Sequence, residues 1–193
     1  MGPGMVIGIS GATGVVYGVR ALELLREAGV PTHLVVSRAG GMTRAYESEL
    51  SAERLRDLAD EHHPIGDLGA SIASGSFRTL GMLVAPCTVN TLAEIANGIS
   101  GNLLTRAADV TLKERRPLVL MVRETPLTTI HLRNMQRVTE AGGIIAPPVP
   151  AFYSAPRSLD EMVTQTVARA LDLFGLDVVP SRWRAEDPVG FAE

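Results

Sequence analysis

Short apolar runs recur along this chain, and each leads through a turn into a helix-length segment. Residues 5–9, 32–36, 80–85 and 118–122 read as buried strands, and Ile144 and Ile145 begin a last one. Helical patterns cover about 15–28, 40–49, 88–96, 103–112, 128–141 and 159–174, and 52–61 is a charged amphipathic segment. Gly29 and Pro31 end the first helix and Gly175 caps the last. Strands separated by helices imply parallel pairing with right-handed crossovers. The expected fold is therefore α/β: a three-layer, Rossmann-like or flavodoxin-like domain over residues 1–193, its parallel sheet carrying helices on both faces. The stretch 62–77 reads as a long functional loop or as a loop with a short strand.

Composition agrees and narrows the partners. The 193 residues are 46% hydrophobic and 4% aromatic, which suits a Val, Ile and Leu sheet under Ala-rich helices. A net charge of −3 exerts no general pull on nucleic acid, so an anion site must be a local cluster. The single cysteine, Cys87, has no partner in the chain and fits a reducing compartment; it reads as a packed small hydrophobe. The start shows no signal-peptide pattern, no apolar run reaches membrane-spanning length, and Val6 breaks the myristoylation pattern. A cytoplasmic protein with no nucleic-acid or membrane partner is expected.

The stretch 102–135 carries the chemistry. It gathers Arg106, Lys113, Arg115, Arg116, Arg123, Glu124 and Arg133 around the strand at 118–122. In an open α/β sheet, ligands bind beyond the carboxyl ends of the strands. Arg123 and Glu124 follow this strand directly, so a cation and a carboxylate stand where they can hold an anion and move a proton. Lys113 is the one lysine among 18 basic residues, and an ammonium is a compact point charge suited to a phosphate oxygen. Glu114, Arg115 and Arg116 read as a solvated helix end.

Two further turns look like ligand loops. Ser10-Gly11-Ala12-Thr13-Gly14 lies between the first strand and helix, where small residues let amides and a helix N-terminus approach a phosphate. Dinucleotide sites place an acidic residue after the second strand; here Ser37 and Arg38 stand there, which favours FMN over NAD. Thr88-Val89-Asn90-Thr91 opens another helix, with Thr88 suited to cap it and the polar side chains suited to a flavin. His62 and His63 are adjacent, so they point apart and read as surface residues; no metal site is expected. His33 and His131 read as structural, Tyr153 as a loop residue beyond the last strand, and Trp183 as a packing residue or part of an apolar wall.

Taken together, the segments at 9–14, 74–77, 81–88, 106–116, 123–127, 134–135, 147–153 and 182–183 resemble the flavin prenyltransferase family of the UbiX type. The block at 106–127 is the specific part. The resemblance implies FMN in the crevice and dimethylallyl monophosphate as prenyl donor. It implies transfer to N5 and C6 of reduced FMN, without a metal, to give the prenylated FMN used by UbiD-type decarboxylases. It places FMN against Gly11, Ala12, Thr13, Ser37, Thr88, Val89, Asn90, Thr91 and Arg123. It places the prenyl phosphate against Lys113, Tyr153 and Arg169, with Arg106 from a neighbouring subunit, and makes Glu124 the acid/base. Lys113 and Arg123 join Glu124 in the catalytic set. A homododecamer with shared sites is implied. Phe77 stands where many members carry tryptophan and offers a π face to an allylic cation.

Two other functions fit parts of the pattern. An FMN-dependent decarboxylase of the cysteine-decarboxylase group would need a catalytic histidine after an early strand and a Pro-x-Met-Asn motif, and the latter is missing. A non-catalytic flavin-carrying subunit would not need a second phosphate pocket.

Overall fold

Strands form where apolar side chains alternate between two covered faces. The computed structural model describes residues 2–180 and 182. Among them, β1 (Gly4–Ile9), β2 (Thr32–Val36), β3 (Glu61–His63), β4 (Thr79–Cys87), β5 (Leu118–Val122) and β6 (Ile144–Ile145) form one sheet. All pairings are parallel, in the order β3-β2-β1-β4-β5-β6. The helices are α1 (Val15–Glu27), α2 (Arg38–Glu47), α3 (Ala52–Arg56), α4 (Val89–Ala96), α5 (Leu103–Lys113), α6 (Thr129–Glu140) and α7 (Leu159–Asp172).

The period of two sorts the core. Met5, Ile7 and Ile9 of β1 and Val119 and Met121 of β5 join Leu22, Leu25, Val167 and Leu171 of α1 and α7 on one face. Val6, Leu118, Leu120 and Val122 face the other way, onto Leu92, Leu104, Ala108 and Val138 of α4, α5 and α6. Both faces are covered, so β1 and β5 are buried along their whole length.

The helix α1 sits unusually close to the sheet. A Cβ on Gly18 would lie 2.5 Å from the Ala85 carbonyl oxygen and 2.7 Å from Ile9 Cδ1. Gly14, just before α1, has φ of 102°, a left-handed turn that a side chain would strain.

Most strands and helices lie where the hydrophobic pattern puts them, and the differences have local causes. The helix expected at 40–49 begins at Arg38, because the Ser37 hydroxyl caps it by accepting from Gly40 N. The stretch 62–77 resolves into the edge strand β3 and a short 3₁₀ turn, Ser71–Ala73. The pattern hid β3 because its residues, Glu61, His62 and His63, are polar. Trp183 lies outside the described residues.

The chain winds outward from β1 to β3, then returns to lay β4 against the other side of β1. That reversal opens a crevice beyond the carboxyl ends of β1 and β4.

Candidate active site

Four strand ends are tied together at this crevice. Ser10, buried just after β1, donates its hydroxyl to the Pro86 carbonyl (2.9 Å) and accepts from Thr88 N (2.8 Å). Its own N–H reaches the same carbonyl at 3.2 Å. Ser37 N donates to Ile9 O at 2.9 Å, and Arg123 N donates to Cys87 O at 3.0 Å. The turns after β1, β2, β4 and β5 therefore share one edge. The structure brings together there Gly11, Ala12, Thr13, Ser37, Thr88, Val89, Asn90, Thr91, Arg123 and Glu124.

Their polar groups are ordered by the helices they start. Ser37 caps α2, and Thr88 caps α4 by accepting from Thr91 N at 3.0 Å while donating to the Thr91 hydroxyl at 3.0 Å. Asn90 donates to Glu94 Oε1 at 2.9 Å. Arg123 and Glu124 are exposed on the turn before α6, where Glu124 Oε1 accepts from Thr125 N at 3.1 Å. That helix starts with a capping box between Thr128 and His131, the structural use expected of His131.

One group at this edge escaped the sequence reading. The Glu47 carboxylate, at the end of α2, accepts from Gly14 N (2.9 and 3.1 Å) and Val15 N (3.1 Å). A carboxylate suits the positive end of α1. It also occupies the first amides of the helix that the glycine turn was expected to offer to a phosphate. No local spacing signals this contact, which spans 33 residues of sequence.

The residues expected to bind the prenyl phosphate are not brought together within this chain. Lys113 was expected beside the Arg123–Glu124 turn, yet it lies at the opposite end of β5. The helix α5 finishes there, before the five-residue strand runs about 17 Å to Arg123. The Lys113 ammonium sits 2.5 Å from Glu114 Oε1, and that hydrogen bond holds the Glu114 carboxyl below its usual range. Arg106, about two turns earlier on the same face of α5, pairs with Asp109 at 2.8 Å and donates to Ala73 O at 3.3 Å. Arg169, near the end of α7, pairs with Asp172 at 2.8 Å. Tyr153 is exposed in the 3₁₀ turn Phe152–Ser154 that follows β6.

Two neighbours also differ from expectation. Arg116 is not a solvated charge; it donates to the carbonyls of Gly75 and Phe77, each at 2.7 Å, and pins the loop entering β4. Phe77, on that loop, packs its edge on the His33 ring with centroids 5.2 Å apart. It therefore lies by the amino ends of the strands, away from the crevice, and offers no π face there within one chain.

The remaining reactive groups lie elsewhere. Burial pushes the Cys87 thiol far up, so it stays protonated and inert. His33 and His63 are both buried, with Glu61 against them, which corrects the surface assignment of His63. Burial holds the His33 imidazole below its ordinary value, against the opposing pull of Glu61. Because His33 lies near the start of β2, it stands at the wrong end of the sheet for the histidine of a cysteine decarboxylase.

Comparison with known proteins agrees with this geometry. The Flavoprotein family matches residues 2–170. The chain is 60% identical over 177 residues to the flavin prenyltransferase UbiX of Neisseria meningitidis serogroup B, covering 92% of this chain and 94% of that one. It superposes with a TM-score of 0.94 and 47% identity on a crystal structure of AnUbiX in complex with FMN and dimethylallyl pyrophosphate, covering 97% of this chain and 100% of that one. It is also similar to a dodecameric FMN-dependent UbiX-like decarboxylase from Escherichia coli O157:H7, with a TM-score of 0.89, 48% identity, and coverage of 93% and 98%.

Proposed function

Since this chain belongs to the flavin prenyltransferase family of the UbiX type, we propose that it transfers a dimethylallyl group from dimethylallyl monophosphate to N5 and C6 of reduced FMN. The observation that carries the reading is the crevice at the β1/β4 reversal, where Arg123 and Glu124 stand beside two capped helix N-termini in a chain so similar to named flavin prenyltransferases.

The residues present fit FMN. The crevice floor is small at Gly11 and Ala12, and hydroxyls come from Thr13, Ser37, Thr88 and Thr91. No carboxylate follows β2 to claim a ribose diol. With Glu47 on the first amides of α1, the flavin phosphate belongs nearer Ser37, Thr88 and Arg123, at the starts of α2 and α4. Reduced FMN supplies the nucleophilic nitrogen and carbon.

The chain's own groups handle charge and protons. As the allylic C–O bond breaks, the departing phosphate takes the bonding electrons, and cations set against it stabilise that charge. Lys113, Arg106 and Arg169 serve this role from neighbouring subunits, with the Tyr153 hydroxyl beside them. Arg123, the residue before Glu124, adds a cation at the same turn. Glu124 in its acid form gives its proton to the leaving phosphate, and the carboxylate so formed takes up the proton lost from flavin C6. The metal-free chemistry of this reading rests on these cations, which do for a monophosphate what a divalent ion does for a diphosphate.

The one sheet with two covered faces supports taking residues 1–193 as one flavoprotein domain. The reading includes a homododecamer and a UbiD-type decarboxylase that uses the product. No helix among the described residues is long and apolar enough to cross a membrane, and a cytoplasmic enzyme fits the single cysteine. Incubation of the protein with reduced FMN and either dimethylallyl monophosphate or the pyrophosphate, followed by product mass, tests the reading. Flavin heavier by one dimethylallyl group in the monophosphate arm is expected. Unmodified FMN in both arms would overturn the activity, and product only from the pyrophosphate would overturn the donor.

A further inference from the structure

At the amino end of the sheet, away from the crevice, three side chains converge with no role in prenyl transfer. In the register of the parallel pair β2 and β3, His33 stands opposite Glu61. Glu61 and His63 are two apart on β3 and so share a face, while His62 points to the other. The sheet therefore brings His33, Glu61 and His63 to one point. They are the one such group among the described residues whose donor atoms all lie within 4.8 Å of one another.

We propose that His33, Glu61 and His63 bind a divalent transition-metal ion, of which zinc is the natural occupant. The three donor separations are 3.2 Å (His33 Nδ1 to His63 Nε2), 3.1 Å (His33 Nδ1 to Glu61 Oε2) and 3.7 Å (His63 Nε2 to Glu61 Oε1). A tetrahedral zinc with bonds near 2.0–2.1 Å needs ligand separations of about 3.3–3.5 Å. Hydrogen bonding alone accounts for the arrangement poorly. One proton on His33 Nδ1 can serve either the carboxylate or the second imidazole, which leaves lone pairs facing each other.

The ligands are held as a built site. His33 and His63 are 8% and 4% exposed, and their rings stack with centroids 5.5 Å apart. Phe77 braces His33 edge-on, and Gly4 leaves room for the ring, since a Cβ there would come within 3.0 Å of it. The Asp60 carboxylate, fixed by the Thr32 amide (2.8 Å) and hydroxyl (3.0 Å), adds negative charge alongside. Glu61 is 55% exposed and borders a cavity of about 640 Å³, which leaves the fourth coordination position open to water. Two imidazoles and one carboxylate favour zinc, cobalt or nickel over magnesium or calcium. Bound there, the ion would clamp the short edge strand β3 to β2.

The test uses FMN-loaded protein stripped with chelator and titrated with Co²⁺, then with Zn²⁺. One equivalent of Co²⁺ should bind with the intense visible bands of tetrahedral coordination, and Zn²⁺ should displace it. Glu61→Gln, at a half-exposed position that leaves the fold intact by circular dichroism, should weaken binding at least tenfold, and His63→Gln should do the same. His62→Ala should leave it unchanged. Absence of saturable binding, or equal affinity in wild type and Glu61→Gln, would overturn the site and leave a proton-sharing histidine pair. Since the FMN crevice lies at the opposite end of the sheet, FMN content and metal binding are read separately, and loss of the metal site leaves the proposed activity to its own test.

Discussion

Ser10 does more at the crevice than its place in a glycine turn suggests. A single buried hydroxyl donates a hydrogen bond to the Pro86 carbonyl and accepts one from the Thr88 amide, joining the two loops that meet at the chain reversal. Ser10→Ala leaves that amide short of an acceptor at a buried position. The expected loss is about 1–3 kcal/mol in unfolding free energy, with weaker FMN binding because the loops part. Denaturant unfolding and flavin titration measure both, and a variant that keeps both wild-type values removes Ser10 from the site's framework. Glu124 is the opposite case: it is exposed, and among the described residues its carboxylate accepts from Thr125 N alone. Glu124→Gln keeps the shape and loses the ionisable group. It should bind FMN and donor while prenylated product forms more slowly by roughly 10²–10⁴-fold, the usual weight of a general acid–base. Turnover at the wild-type rate would assign the proton transfers to the phosphate itself.

Helix α1 can approach the sheet only because Gly18 has no side chain. A Cβ there would sit 2.5 Å from the Ala85 carbonyl oxygen, a backbone atom of a central strand that cannot step aside. Gly18→Ala should therefore cost about 1–3 kcal/mol of stability, as overpacking does. Gly41, on α2, has open space around the added methyl, so Gly41→Ala should be neutral or slightly stabilising through its better helix propensity. Chemical denaturation of the pair separates close packing from a general dislike of change at glycine; equal losses in both would contradict the argument. Elements such as β5 and α6 were legible in the sequence because apolar period and capping residues mark them locally. The strand β3 was not, because Glu61, His62 and His63 form an edge held by pairing with β2, a contact no local pattern carries. The crevice residues were legible for the same reason as β5, since each follows a recognisable strand. Glu47 and the His33–His63 pair were not, because tertiary register alone brings them to their partners.

At the scale of the whole molecule, one chain separates the groups that the proposed reaction needs together. Glu124 lies beyond the carboxyl end of β5, whereas Lys113 ends α5 before that strand begins, and Arg106 and Arg169 are paired with acids on their own helices. The five-residue strand β5, about 17 Å long, runs between Lys113 and Glu124, which sets them at opposite ends of it rather than around one phosphate. On the proposed reading the site is therefore complete only where subunits meet, with Glu124 from one and Lys113 from the next. This arrangement predicts complementation. Lys113→Ala and Glu124→Gln homo-oligomers should each be nearly inactive, the first through weakened donor binding worth on the order of 1.5–3 kcal/mol. Unfolding and reassembling the two variants together creates some interfaces that hold Glu124 from a Lys113→Ala subunit and Lys113 from a Glu124→Gln subunit. Those sites carry every wild-type group. Product formation in the mixed oligomer should rise well above the average of the two parents, and single-variant samples taken through the same cycle should show no gain. A mixture no better than that average would place both residues in the site of one subunit, which would require α5 to move across the whole length of β5.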